Sequence, residues 1–113
     1  MPMPMIRTLA KFALLTTLLL GPAAFAAVIT GQSVSISNFT FAPKDIVVPV
    51  GTTVTWVNGD DVPHVVRAVD GAFHSKPLDS DDRFSFTFTT PGVFSYFCSL
   101  HPKMTGKVIV KRQ

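Results

Sequence analysis

A chain of 113 residues with 47% hydrophobic and 15% charged residues has the composition of a folded domain and excludes a disordered or low-complexity protein. Its formal net charge of +3 is spread without any basic run, the thin strip Lys103, Lys107 and Lys111 being the only lysine cluster, which argues against nucleic acid as a partner. With a single cysteine there is no internal disulfide.

The first residues are read as a targeting segment. Arg7 and Lys11 precede an uncharged run from Phe12 to Leu20, and Gly21-Pro22-Ala23-Ala24-Phe25-Ala26 follows. Basic, apolar and small-residue regions in that order make a secretory signal peptide. The apolar run is well short of the roughly 20 residues of a membrane-spanning helix. Residues 1–26 are therefore expected to be cleaved on export, leaving residues 27–113 as one small monomeric domain in the periplasm, with no membrane attachment. In an oxidising compartment a free thiol is a liability unless it is buried or bound.

After Ala27 the pattern has a period of two. Val34 and Ile36 alternate with Ser33, Ser35 and Ser37, and Asn38-Phe39-Thr40-Phe41 continues that strand until Ala42-Pro43-Lys44 breaks it. Ile46-Val47-Val48 is a short strand ended by Pro49-Val50-Gly51. Thr52 to Val57 follows, with Val54 and Trp56 on one face. Asn58-Gly59-Asp60-Asp61, followed by Pro63, predicts a loop longer than a tight hairpin. His64 to Val69 is the next predicted strand. Residues 70–82 have no period and are expected to be a loop with at most a weak strand near Ala72 to His74. Arg83 to Thr89 alternates cleanly with Phe84, Phe86 and Phe88 inward. Val93 to Cys98 places Phe94, Tyr96 and Cys98 on one face, and Lys107 to Lys111 closes the chain with Val108 and Val110 together. Seven or so short strands and no helical period predict an all-β sandwich or barrel, with a crossover between sheets in the long 70–82 stretch.

Chemistry concentrates in Cys98-Ser99-Leu100-His101-Pro102-Lys103-Met104, a C-x-x-H-x-x-M spacing that holds the only cysteine and the only methionine beyond Met5. Thiolate, imidazole and thioether form a soft donor set that selects copper over hard cations. One loop does not close such a site, and His64 is the leading candidate for a second imidazole. Each residue also has a simpler reading. Cys98 and Met104 would serve as buried packing, His64 as a satisfied core histidine and His74 as a solvated surface side chain. Joint spacing favours a metal centre, because the soft donors downstream of the signal segment fall in one constellation.

The strand Pro91-Gly92-Val93-Phe94-Ser95-Tyr96-Phe97-Cys98, the loop Cys98 to Met104, and Pro63-His64 after a turn resemble the cupredoxins, within them the amicyanin and plastocyanin branch of small type 1 copper proteins. The compact C-x-x-H-x-x-M interval is similar to that of amicyanin. This resemblance implies an eight-stranded Greek-key β-sandwich and one copper held by His64, Cys98, His101 and Met104. It also implies one-electron transfer between larger redox proteins, such as a c-type cytochrome or a periplasmic dehydrogenase. One position departs from the pattern. Many relatives carry Asn after the first histidine, where it ties two ligand loops together, and this chain has Val65.

His101, in the middle of its loop, is expected at the surface, ringed by Leu100, Pro102 and Pro63 in a small apolar patch suited to brief docking. Lys103 and Lys107 would either steer an acidic partner or simply solubilise the surface. Two other functions compete with an electron shuttle. A copper carrier or storage protein would use the same ligands, although such carriers tend to be rich in methionine or histidine. An enzyme would need further copper held by further histidines, or a Cys-His pair in a substrate cleft; His74 alone is too little for the first, and Met104 beside the pair argues against the second.

Overall fold

The computed structural model describes residues 31–112, so the expected signal segment, residues 1–26, lies outside the described residues. Eight strands run in chain order: β1 (Gly31–Ser37), β2 (Thr40–Ala42), β3 (Asp45–Pro49), β4 (Thr52–Asn58), β5 (Arg67–Ala68), β6 (Arg83–Phe88), β7 (Gly92–Cys98) and β8 (His101–Lys111). No helix occurs among the described residues. The strands form two four-stranded sheets, ordered β2-β1-β4-β6 and β3-β8-β7-β5. The pairs β1/β4 and β3/β8 are parallel and the others antiparallel. The chain passes from one sheet to the other between β4 and β5 and returns between β5 and β6. The all-β sandwich with its crossover is therefore as the period-two patterning predicts.

Alternation decides what the two sheets bury. Val34 and Ile36 of β1, Val54 and Trp56 of β4, Tyr96 and Cys98 of β7, and Val108 and Val110 of β8 all point inward. Trp56 sits at the centre, edge-on to Tyr96 at 5.3 Å and tilted against Phe73 at 5.5 Å and Phe84 at 5.7 Å. Phe73 comes from the aperiodic 70–82 stretch. That loop packs Phe73 against rings of β4, β6 and β7 and contributes Phe73, Ser75 and Leu78 to the interior, which no periodicity could reveal.

Three boundaries differ from expectation, each for a local reason. The first strand does not continue through Phe39: Ser37 pairs with Thr40, so Asn38 and Phe39 form a two-residue hairpin with φ of 53° and 57°. The predicted strand His64 to Val69 shrinks to Arg67–Ala68, because His64 instead makes an isolated bridge to Leu78 and Arg67 one to His74. The last strand begins at His101, not at Lys107, so Met104 lies within β8 instead of preceding it. Between Phe97 and Cys98 the β7/β8 register shifts, bringing Cys98 opposite His101.

Candidate metal centre

The register shift at the end of β7 turns a sequence spacing into a site. Cys98 is the last residue of β7 and His101 the first of β8, so the intervening Ser99 and Leu100 form a tight connection that folds the imidazole back over the thiol. Cys98 Sγ lies 3.7 Å from His101 Nδ1 and 3.7 Å from His64 Nδ1. The donor atoms of His64, Cys98 and His101 all fall within 4.8 Å of one another, and no other such group of histidine, cysteine or acidic side chains occurs among the described residues. With metal bonds of about 2.0 Å to imidazole and about 2.3 Å to thiolate, typical of a zinc-sized ion, a 3.7 Å separation corresponds to a ligand angle of roughly 120°. Each imidazole is thus spaced to share one ion with the Cys98 sulfur. Met104 follows one strand turn later, buried, and lines the same depression as His101.

His64 is held on every side. Its backbone N–H donates to Leu78 O at 3.1 Å, and its carbonyl accepts from Leu78 N–H at 2.8 Å. Asn58, fully buried, fastens the loop between them: its Nδ2 donates to Val62 O and Leu78 O, and its Oδ1 accepts from the Asp60 amide. The ring itself is fixed by Asp60, whose Oδ2 lies 2.8 Å from His64 Nε2. An ionised carboxylate only accepts, so Nε2 carries the proton and, in the neutral ring, Nδ1 presents its lone pair towards Cys98. That is the tautomer a metal ligand needs, and a carboxylate behind a ligating histidine is the usual device for selecting it. The amide of Phe39 has the largest effect on the Asp60 carboxyl; burial opposes it, and His64 and the amide of Asn38 add to it, so the group is held below its ordinary value of 3.8.

Cys98 is fully buried and accepts a hydrogen bond from the Val65 amide, N to Sγ 3.3 Å. The main chain after His64 therefore supports the sulfur whatever side chain stands at 65, and that side chain is itself buried. His101 is half-buried at the rim, with Leu100 (50% exposed) and Pro102 beside it and the exposed Pro63 on the neighbouring ligand loop. Phe39, Leu100, His101, Pro102, Lys103 and Met104 line an open depression of about 490 Å³. His74 is exposed at its bridge to Arg67 and stands outside the cluster, as expected.

The match to known families agrees with this geometry. Residues 10–110 match the family model of the cupredoxin-like domain. The chain belongs to the cupredoxin family. This cupredoxin is 36% identical over 83 residues to amicyanin of Paracoccus versutus, covering 69% of this chain and 63% of that relative. It is 35% identical over 81 residues to the chloroplastic plastocyanin of Physcomitrium patens, covering 62% of this chain and 48% of that one. It thus spans less than two thirds of the length of these relatives. Among solved structures, a purple cupredoxin from Nitrosopumilus maritimus superposes with a TM-score of 0.66 at 39% identity, covering 70% of this chain and 98% of that one. An oxidised amicyanin variant superposes with a TM-score of 0.69 at 33% identity, covering 73% and 83%.

Two residues of the cupredoxin's site escape sequence reasoning. Asp60 was legible only as part of a turn, although its position four residues before His64 is the available signal. Phe39 reads as a strand residue, yet its ring lies edge-on to His64 at 5.3 Å and to His101 at 4.9 Å.

Proposed function

We propose that this protein is a periplasmic one-electron carrier with a single type 1 copper held by His64, Cys98, His101 and Met104, an electron-transfer protein and not an enzyme. The observation that carries this reading is the buried thiol with two imidazole nitrogens at 3.7 Å, with Met104 of β8 lining the depression at His101. Solved relatives described as oxidised and Cu(I) forms of amicyanin support the metal and its redox role. Copper bound there supplies a Cu(II)/Cu(I) couple. The chain's own residues do the rest. His64 is immobilised by Asp60 and Leu78, and Cys98 by the Val65 amide, so the donors have little freedom to rearrange. Burial of Cys98 and His64 keeps water from the thiolate, while His101 alone reaches the surface and offers the short route for an electron.

Partners in this reading are redox proteins such as a c-type cytochrome or a periplasmic dehydrogenase, docking on the apolar rim of Leu100, His101 and Pro102. Residues 1–26 are the signal peptide that exports the chain, and residues 27–113 the mature domain.

Visible absorption on adding Cu(II) to the purified mature domain tests the reading, with Cys98→Ser as control. A strong thiolate-to-copper charge-transfer band, bleached by a mild reductant, restored by an oxidant and absent in the control, is the expected result. A colourless complex, or copper bound equally well by the control, would make the protein a copper carrier instead.

A further inference from the structure

The hairpin between β1 and β2 puts two consecutive residues in the left-handed region, Asn38 at φ 53° and Phe39 at φ 57°. Asparagine adopts that conformation readily and phenylalanine does not. Core packing does not account for it either, since Phe39 remains 47% exposed. What holds the turn is Asp60. Its Oδ1 accepts from the Asn38 amide at 2.6 Å and its Oδ2 from the Phe39 amide at 2.9 Å. The same Oδ2 accepts from His64 Nε2. One carboxylate therefore satisfies a tight turn and a candidate metal ligand together.

The turn in turn presents the Phe39 ring edge-on to both imidazoles, which are themselves edge-on to each other at 5.0 Å. For His101 this matters more than for His64. Among the described residues the His101 ring nitrogens have no polar neighbour in reach except Cys98 Sγ. Its ring orientation rests on Phe39, on His64 and on the short connection to Cys98.

We propose that Asp60 and Phe39 form one positioning unit for the two imidazoles: Asp60 sets the His64 tautomer directly and, by clamping the left-handed turn, holds the Phe39 ring that orients His101. Both Nδ1 atoms then stay aimed at Cys98 Sγ before any metal arrives. The consequence for electron transfer rests on the copper reading above, whereas the positioning itself belongs to the metal-free protein and is testable there.

Long-range proton–nitrogen NMR of the metal-free mature domain reports the His64 tautomer, and nuclear Overhauser contacts between the Phe39 and His101 rings report their packing. In the wild type, His64 is expected as the single Nε2–H tautomer, with clear contacts between the two rings. In Asp60→Asn the tautomer becomes mixed and those contacts weaken, with copper affinity falling about tenfold or more. In the copper-loaded protein, Phe39→Ala shifts the reduction potential, Phe39→Tyr restores it because the ring is kept, and Phe39→Ala adds a smaller shift when Asp60→Asn is already present. Phe39→Gly, which releases the left-handed turn from strain, must reproduce the Phe39→Ala potential shift, and a dispersed amide spectrum confirms the fold of each variant. Ring contacts unchanged in Asp60→Asn, or strictly additive potential shifts in the double variant, would overturn the proposal. Absence of a thiolate charge-transfer band in the wild type would instead sink the copper reading and leave the NMR result to decide the positioning unit by itself.

Discussion

Gly106→Ala is a small change with a large expected cost, and the reason lies in one cross-strand pair. Gly106 of β8 stands opposite Tyr96 of β7. An added Cβ would lie 2.6 Å from both Cζ and Oη of Tyr96 and 2.7 Å from the Lys44 carbonyl. Neither neighbour has a retreat. Lys44 O is main chain and accepts from the Lys107 amide at 2.9 Å, while Tyr96 is 1% exposed and wedged edge-on between Phe41 at 4.8 Å and Trp56 at 5.3 Å. Alanine would otherwise help: Gly106 lies outside the left-handed region, and restoring a side chain in a strand interior is worth about 0.5–1 kcal/mol. Overpacking in a rigid core costs about 1–3 kcal/mol, and a clash with both main chain and a wedged ring puts it at the upper end, about 3 kcal/mol, so it wins. We expect a net loss of about 2 kcal/mol, hence a melting temperature lower by about 10 °C for a domain of this size. Urea unfolding of the metal-free mature domain measures it, with a lower midpoint and an unchanged slope expected. Because Tyr96 and Cys98 share the inward face of β7, the copper-loaded variant should also show an altered charge-transfer band. A variant as stable as the wild type would refute the reasoning, since it would mean that Tyr96 moves aside freely.

The other expectations can be checked on the same preparations. Tyr96 Oη and Trp56 Nε1 are both buried without a hydrogen-bond partner; burial pushes the phenol up to about 12, the nearby indole N–H opposing it. Tyr96→Phe should therefore change stability by less than about 1 kcal/mol and relieve part of the Gly106→Ala defect, and a loss well above that by denaturant titration would show a bonded hydroxyl. Asp60, held below its ordinary value by the Phe39 amide, His64 and the Asn38 amide, contributes stability that is fully present above an unfolded carboxyl value of about 4. That contribution is lost as the pH falls through the lower folded value, so Asp60→Asn should flatten the decline in unfolding free energy below about pH 4; an unchanged slope would remove Asp60 from the acid transition. Val65→Asn places an amide beside the thiolate in a buried position and should shift the potential in protein-film voltammetry, while an unchanged value would show that position 65 does not tune the metal. Leu100→Asp should slow electron transfer to a redox partner and leave the colour intact; equal rates would move the docking surface away from the His101 rim.

Local patterning carries a long way in this chain. Strands β1, β4, β6 and β7 were each legible because one face is buried and the other wet, so Val34/Ile36, Val54/Trp56, the Phe84 to Phe88 run and Tyr96/Cys98 had to alternate. The candidate donor cluster stood out for a different reason. Thiolate, imidazole and thioether are chemically rare together, and two residues between Cys98 and His101 are the length of a strand-to-strand connection.

Contacts between residues far apart in the chain were not legible, because nothing local encodes them. Phe39 leaves its strand pattern only because a carboxylate 21 residues away accepts its amide. His64 is pinned by Leu78, and Val66 and Ala68 run beside Phe73 and Ser75, so the aperiodic 70–82 loop becomes part of the core and the predicted His64 to Val69 strand is cut to two residues. By itself the amino-acid sequence determined the sandwich class and named the candidate donors, since burial period and donor softness are properties of residues and their neighbours. Tertiary structure alone decided how the donors are aimed: the register shift at Cys98, the tautomer of His64 and the ring over His101 arise where three distant segments meet and must satisfy one another's hydrogen bonds.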